Sequence, residues 1–351
     1  MFKNLSIITF MIMMMTGSII SISSNSWMGV WMGLEINLLS FIPLLTKKNN
    51  LNNSEASLNY FLIQAFASMI LLMSIILFLF KWNFSFEILN NLNNYKNINL
   101  ISINNLMFLT LMLKIGASPF HFWFPNVMEN ISWFNGFILM TWQKVAPMFI
   151  IPYLILNNFF MYLFILMSSL IGAIGGLNQT SIRKLLAFSS INHIGWMLSA
   201  IMFNEFLWMM YFLIYSILNI SLIFMMKMFN IFYLSQIFSF FMKNSIIKYS
   251  FFMMILSLGG LPPFLGFAPK WMIIQSLIFM NFYLLVLFMI LMSLITIYYY
   301  LKISFSSYLL NYDELNWNLM MTFKKFNMNM MFLFNFISMY SLIIFLFLFY
   351  Y

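Results

Sequence analysis

The sequence has no cysteine, a single arginine and only two histidines, His121 and His193. The missing cysteines exclude disulfides, thiolate metal sites and cysteine-ligated iron–sulfur clusters. Two histidines are too few for a histidine-rich metal or haem site. Charged residues make up 7% of the 351 residues, against about 25% in a soluble globular chain. So few charges cannot cover a water-facing surface, so most of the surface must face lipid.

Hydrophobic residues make up 64% of the chain, and apolar stretches of bilayer-spanning length recur along it. Residues 69–80 (MILLMSIILFLF) are continuously apolar, whereas a membrane barrel needs alternation, so helices are favoured. The sequence therefore predicts an all-α, polytopic helix bundle, arranged as a single domain over 1–351. The predicted spans are 4–22, 27–46, 58–81, 101–118, 133–156, 159–177, 185–203, 206–226, 249–280, 281–301 and 331–351. The ninth is too long for one straight helix, and its Gly259-Gly260 and Pro262-Pro263 pairs predict a break.

The basic residues indicate an orientation. Between the predicted spans, eleven lysines and arginines fall on one side and two on the other, while Lys114, Lys144 and Lys270 lie inside spans. Positive loops face inward, so the N-terminus is predicted inside and the C-terminus outside. The net charge of +9 belongs to these scattered loops, which indicates no nucleic-acid partner.

Residue usage indicates the source. Phe, Ile, Met, Asn, Leu, Tyr and Lys dominate, and A- and T-rich codons encode most of them. An AT-rich mitochondrial genome explains this bias, although an AT-rich bacterium would reproduce part of it. The first residues (MFKNLSIITF) are interpreted as the start of the first span, with a cleaved signal peptide as the alternative.

Four ionisable residues are expected inside the membrane: Glu35, Lys114, Lys144 and Lys270. A charge near the bilayer centre costs about 2.5–3.5 kcal/mol on insertion scales, so such residues usually line ion routes. The alternative is snorkelling, in which a lysine extends its ammonium group to the interface. Lys114 is the most open to that alternative, because its predicted span ends a few residues later.

Lysine suits proton transfer because burial lowers the pKa of an ammonium group and a nearby carboxylate raises it again. Each intramembrane lysine lies near a helix breaker: Pro119, Pro147 and the Pro262-Pro263 pair. A broken helix places backbone dipoles in an ion path. In the seventh predicted span, His193 is a candidate relay, with a hydrogen-bonded structural role as the alternative.

Two further patterns narrow the possibilities. Gly172 and Gly176 form a small-residue pair at helical spacing, which favours close helix packing. The sequence contains neither a phosphate-binding glycine loop nor a dinucleotide fingerprint. The chain is therefore predicted to bind neither NADH nor flavin by itself.

Five segments carry a resemblance to a known family. They are SNSWMGVWMGLEINLLSFIPLL (24–45), KIGASPFHFWFPNVME (114–129), MTWQKVAP (140–147), IGAIGGLNQTSIRKLLAFSSINHIGWM (171–197) and SLGGLPPFLGFAPKW (257–271). The chain resembles the chain 2 family of mitochondrial NADH:ubiquinone oxidoreductase, respiratory complex I, from an insect or similar invertebrate. The resemblance covers most of the chain and weakens beyond about residue 305. It implies an antiporter-like fold that lacks three N-terminal helices of bacterial counterparts.

The resemblance also implies roles for individual residues. Glu35 and Lys114 would form the glutamate–lysine pair, and Lys144 would be the connecting lysine of a central polar axis. His193 would lie on that axis, and Lys270 would be the lysine of the broken helix. Together they would form a proton path.

Complex I membership implies a setting as well. FMN, iron–sulfur clusters, NADH and ubiquinone would serve the whole complex, with no cofactor or metal bound by this chain. Partners would be other membrane-arm subunits, including neighbouring antiporter-like ones, and phospholipids such as cardiolipin. The location would be the mitochondrial inner membrane, with the N-terminus in the matrix and the C-terminus in the intermembrane space. Two alternatives stay open: a stand-alone cation/proton antiporter and a structural scaffold.

Overall fold

The structure, a computed structural model, describes residues 2–46, 51–81, 98–154, 158–240 and 245–309, together with 333 and 336. Its regular elements over this part of the chain are helices, and the only extended pairing there is a single bridge between Ser181 and Tyr233. The prediction of an all-α chain is confirmed for these residues. The predicted eleventh span, 331–351, lies outside the described ranges apart from its two isolated residues.

The helices follow one another along the chain. They are α1 (Phe2–Ser23), α2 (Trp27–Leu45), α3 (Leu51–Lys81), α4 (Ile98–Ile115), α5 (Trp123–Asn130), α6 (Trp133–Met140), α7 (Trp142–Ile150) with a 3₁₀ turn (Ile151–Leu154), α8 (Asn158–Ile174), α9 (Ile182–Ile201), α10 (Glu205–Phe229), α11 (Leu234–Phe240), α12 (Ser245–Gly259), α13 (Phe267–Phe279) and α14 (Tyr283–Leu309). Each of the first ten predicted spans corresponds to one or more of these helices. The short helices α5 and α11 were not predicted.

Six segments are long and apolar enough to cross a membrane, judged over the described residues by length and composition: 5–23, 27–45, 51–80, 133–154, 205–229 and 283–305. Many of their large apolar side chains face outward, among them Leu5, Met69 and Leu284 at 63%, 69% and 86% exposure. Apolar surface on this scale requires lipid or another subunit to cover it.

The chain forms two compact units, Met1–Ser168 (unit 1) and Ser169–Tyr351 (unit 2), and each is described by itself. The single domain predicted over 1–351 stays a prediction. In unit 1, α1 and α2 pack at close range, because a Cβ at Gly33 would lie 2.5 Å from the Ser21 nitrogen and one at Gly17 2.9 Å from the Asn37 nitrogen. Backbone contact of this kind is how membrane helices associate through small residues.

Unit 2 uses the predicted small-residue pair in the same way. A Cβ at Gly172 would overlap the backbone of Asn192 on α9, and one at Gly176 would lie 2.8 Å from the ring of Tyr299 on α14. The predicted close packing at Gly172 and Gly176 is confirmed.

Two helix breaks separate short helices that would otherwise be continuous. The predicted break in the ninth span is confirmed, because α12 ends at Gly259 and α13 begins at Phe267. The predicted fifth span is also divided, but not at its proline: Pro147 lies inside α7 and the interruption falls at Thr141. The Phe137 carbonyl accepts both the Thr141 N–H (3.0 Å) and the Thr141 hydroxyl (2.8 Å), and such a side-chain bond to the preceding turn often bends a helix.

Candidate functional site

Glu35 and Lys114 interact electrostatically in unit 1. Glu35 lies midway along α2, and Lys114 lies in the last turn of α4 with 7% of its side chain exposed. The Glu35 carboxylate acts on the Lys114 ammonium through space. Among the described residues, neither Lys114 Nζ nor Glu35 Oε2 has a hydrogen-bond partner. The predicted pair is therefore an electrostatic interaction without a hydrogen bond, and Lys114 is buried rather than snorkelling.

The end of α4 is fixed by side chains from two other helices. The last carbonyls of a helix have no donor within it. Here Trp123 Nε1 of α5 donates to the Leu113 carbonyl (3.2 Å), and Gln64 Nε2 of α3 donates to the Lys114 carbonyl (3.1 Å). The backbone that carries Lys114 is thus anchored, while its ammonium group keeps the freedom of a four-carbon stem.

Lys144 is the most deeply buried of the predicted site residues, with 1% of its side chain exposed. It lies in the first turn of α7, directly after the break at Thr141. Its Nζ lies 5.1 Å from the centroid of the Phe124 ring, within the range of a cation–π interaction. Pro147 has no N–H, so the Gln143 carbonyl one turn earlier receives no helical hydrogen bond.

Lys114 and Lys144 line the same cavity in unit 1. The part of it that a water molecule can enter suffices for about one or two waters. The lining residues are Leu34, Asn37, Leu38, Tyr60, Gln64, Lys114, Ile115, Trp123, Phe124, Leu139, Gln143, Lys144 and Pro147. The sequence prediction did not show that these two lysines share a chamber.

A chain of uncharged polar side chains crosses this cavity. Gln143 Nε2 donates to Asn37 Oδ1 (3.0 Å), and the Tyr60 hydroxyl donates to Gln143 Oε1 (3.4 Å). The chain links α2, which carries Glu35, with α7, which carries Lys144. Sequence reasoning missed it, although Asn37, Gln64 and Gln143 are amide side chains within otherwise apolar spans and were signals of buried polarity.

Lys270 lies at the helix break of unit 2. Its Nζ donates to the carbonyl of Gly259, the last residue of α12 (2.7 Å). The chain then turns at Gly260, whose φ of +81° is in the left-handed region that glycine adopts without strain. The ammonium group thus binds the negative end of the α12 dipole. The prediction that Lys270 lies beside a half-helix end is confirmed.

His193 lies on α9 in unit 2 and is 6% exposed. Its Nδ1 is 2.7 Å from the Tyr211 hydroxyl of α10, and its ring centroid lies 4.9 Å from that of Tyr215. The histidine therefore has a defined hydrogen-bond partner and a second phenol nearby. Both the relay and the structural role raised by the sequence are compatible with this contact.

Unit 1 thus contains Glu35, Lys114 and Lys144, while unit 2 contains His193 and Lys270. In the described ranges, no cluster of three or more histidine, aspartate or glutamate side chains could hold a metal ion. Glutamate, histidine and lysine side chains can each bind and release a proton.

Comparison with known proteins places the chain among respiratory and antiporter membrane subunits. Residues 24–296 match the family model described as NADH:quinone oxidoreductase/Mrp antiporter, TM. The chain is 55% identical to NADH-ubiquinone oxidoreductase chain 2 of Anopheles gambiae over 322 residues, covering 92% of this chain and 91% of that protein. The corresponding protein of Locusta migratoria is 46% identical over 317 residues, with 90% of each chain covered.

Solved structures share the fold. A chain of respiratory complex I from Thermus thermophilus superposes with a TM-score of 0.84 at 20% identity, covering 95% of this chain and 77% of that one. A chain of the Mrp complex from a Dietzia species gives a TM-score of 0.74 at 17% identity, covering 85% of this chain and 59% of that one.

Proposed function

The chain belongs to the chain 2 family of NADH-ubiquinone oxidoreductase, and from this premise we propose that its buried lysines form a proton-transfer site of that complex. As a family member it is an antiporter-like subunit of the membrane arm of respiratory complex I. Oxidation of NADH and reduction of ubiquinone, with FMN and the iron–sulfur clusters, take place in other subunits.

The observation that carries this proposal is the shared cavity of Lys114 and Lys144. Both amines line a chamber with room for about one or two waters, so a proton can pass between them through water. The negative charge of Glu35 stabilises the ammonium form of Lys114. A change in the position or charge of Glu35 therefore changes which of the two lysines holds the proton.

The proposed sequence in unit 1 begins at the Glu35–Lys114 interaction. Weakening it makes Lys114 a stronger acid, so a proton passes through water or the polar side chains of the cavity to Lys144. Strengthening it returns the affinity to Lys114, which is then reloaded. His193 and Lys270 serve the same route in unit 2, where the Gly259 carbonyl favours the ammonium form of Lys270.

The setting proposed for the chain follows from the family and from the loop charges. We place the chain in the mitochondrial inner membrane with its N-terminus in the matrix and its C-terminus in the intermembrane space. Its partners are the other membrane-arm subunits, among them the neighbouring antiporter-like ones. Phospholipids cover the remaining apolar surface, and cardiolipin suits the basic matrix-side loops.

The test replaces Lys114 or Lys144 by methionine in the assembled complex. Methionine keeps the length and apolar stem of lysine but binds no proton. Proton pumping into sealed inner-membrane vesicles and NADH oxidation are measured together. Both variants should pump several-fold more slowly than wild type, while Lys302→Met, an exposed lysine on α14, should leave the rate unchanged. Wild-type pumping and turnover in both variants would overturn the proposal and favour the scaffold role.

A further inference from the structure

The function proposed above assigns no role to the two aromatic side chains at the start of α5. Trp123 and Phe124, which we call the α5 aromatic pair, are 7% and 1% exposed, and both line the cavity that Lys114 and Lys144 share. Their ring centroids are 5.6 Å apart and their planes lie at 86°, an edge-to-face geometry that stabilises aromatic pairs. The two side chains therefore form one packed part of the cavity wall.

The end of α4 contacts the α5 aromatic pair on both sides of Lys114. One residue before Lys114, the Leu113 carbonyl accepts the hydrogen bond from Trp123 Nε1 (3.2 Å). Two residues after it, Gly116 has a φ of +77°, and a Cβ there would lie 3.2 Å from both Phe124 Cβ and Trp123 Cζ2. Glycine adopts this φ without strain and leaves room for both side chains. A displacement of the end of α4 is therefore transmitted to α5.

Further ring contacts connect the α5 aromatic pair to α2. The Tyr60 ring of α3 lies 5.8 Å from that of Trp123, and the Phe41 ring of α2 lies 5.2 Å from that of Tyr60, measured between centroids. Tyr60 and Phe41 are 3% and 0% exposed. Closely packed interiors transmit a displacement because they contain little free space. The helix that carries Glu35 and the helix that carries Lys114 are thus both connected to α5.

Phe124 also contacts the second lysine of the cavity. Lys144 Nζ lies 5.1 Å from the centroid of the Phe124 ring. The negative face of an aromatic ring attracts a cation, so this contact stabilises the ammonium form of Lys144 and not its neutral amine. The attraction depends on the distance between the ring and Nζ. A movement of α5 that changes this distance therefore changes how strongly Lys144 holds its proton.

We propose that Phe124 is a positioning residue that couples the Glu35–Lys114 interaction to the binding and release of the proton at Lys144. When that interaction changes and the end of α4 shifts, α5 moves the Phe124 ring relative to Lys144 Nζ. Release breaks an N–H bond of the ammonium group and transfers the proton to cavity water, which leaves a neutral amine. The inference rests on the function proposed above for Lys144 and adds the element that controls it.

The first test separates the ring of Phe124 from its volume. Phe124→Leu removes the aromatic face and keeps an apolar side chain, while Phe124→Tyr keeps the face. Phe122→Leu is the matched control, because it removes a ring two residues earlier at a side chain that is 74% exposed. Proton pumping and NADH oxidation are measured per amount of assembled complex. Phe124→Leu should pump several-fold more slowly than wild type, and Phe124→Tyr and Phe122→Leu should pump close to the wild-type rate.

The second test loosens α5 from the end of α4. Trp123→Phe keeps a ring but removes the N–H that donates to the Leu113 carbonyl. Its matched control is Trp31→Phe, which removes an indole bond of the same length, 3.2 Å, to the Ser68 carbonyl. Trp123→Phe should pump several-fold more slowly than Trp31→Phe. Equal, wild-type pumping in the two variants would overturn the coupling through α5.

The remaining outcomes separate this inference from the proposed function. Slow pumping in Phe124→Tyr and Phe124→Leu alike would overturn the role of the aromatic face and leave only packing. If Phe124→Leu does not assemble, Phe124→Met, which is flexible and also lacks a ring, takes its place in the same comparison. Wild-type pumping in Phe124→Leu with slow pumping in Lys144→Met would overturn the role of Phe124 and leave the proposed function standing. Wild-type pumping in both would overturn the two together.

Discussion

At the scale of single residues, the site combines an anchored backbone with ionisable groups on long side chains. The Lys114 carbonyl accepts a hydrogen bond from Gln64, and Lys144 follows the helix break at Thr141. Both side chains line a chamber that water can enter. Proton exchange by a lysine needs both features, because its side chain must move while the groups that it approaches stay in place. The uncharged bridge of Tyr60, Gln143 and Asn37 supplies fixed polar groups in that chamber.

Replacing Gln143 by leucine should weaken this bridge. The change removes the donor to Asn37 Oδ1, and a buried acceptor without its partner costs about 1–3 kcal/mol. We expect less of the assembled complex to survive heating, together with slower proton pumping. The Asn37→Leu/Gln143→Leu double variant should recover part of the heat resistance, since no unpaired amide then remains. A Gln143→Leu variant as heat-resistant as wild type would show that the bridge contributes nothing to stability.

At the scale of helices, the breaks place the lysines. The residues before Thr141 and after it form separate helices, and Lys144 lies in the first turn of the second. In unit 2, Gly260 turns the chain so that Lys270, on the next helix, reaches back to the end of α12. In both units a lysine therefore lies near the end of a helix rather than in the middle of an uninterrupted one.

Gly260→Ala should displace Lys270. A Cβ at Gly260 would lie 2.9 Å from Lys270 Nζ, and a φ of +81° adds about 1–2 kcal/mol of strain for an L-residue. We expect pumping to fall several-fold in Gly260→Ala. Gly259→Ala is the matched control, because the closest atom to its Cβ is 3.6 Å away. Equal pumping in the two variants would show that the turn at Gly260 does not position Lys270.

The sequence predicted these elements well where the pattern is local. Apolar length located ten spans, and the Gly-Pro composition of 257–271 predicted the break at Gly259. The division at Thr141 was not predicted, because proline disrupts helices more strongly than threonine and Pro147 was the expected point of interruption. In the structure, Pro147 lies within α7. The short helix α5 was not predicted because its residues follow a proline-containing loop. It contacts α4 through the hydrogen bond from Trp123 to the Leu113 carbonyl, which the sequence does not show.

At the scale of the whole molecule, composition and family resemblance predict a membrane subunit of complex I. The arrangement of the site depends instead on contacts between residues that are distant in sequence. The sequence predicted Glu35, Lys114, Lys144, His193 and Lys270 one by one as buried polar residues. It could not show that Gln143 bonds to Asn37, because 106 residues separate them and neither is charged. It also could not show that two lysines share one chamber. These facts depend on tertiary packing, which span prediction does not contain.

The central claim is that the lysines carry protons rather than act as fixed charges, and Lys144→Arg tests it most directly. Arginine keeps the positive charge but stays protonated at all physiological pH values, so it cannot release a proton to the cavity. The measurement is the rate of proton pumping by assembled complex in sealed vesicles, compared with wild type and Lys144→Met. The account predicts that Lys144→Arg pumps as slowly as Lys144→Met. Wild-type pumping in Lys144→Arg, with loss only in Lys144→Met, would contradict it and show that a fixed charge is sufficient.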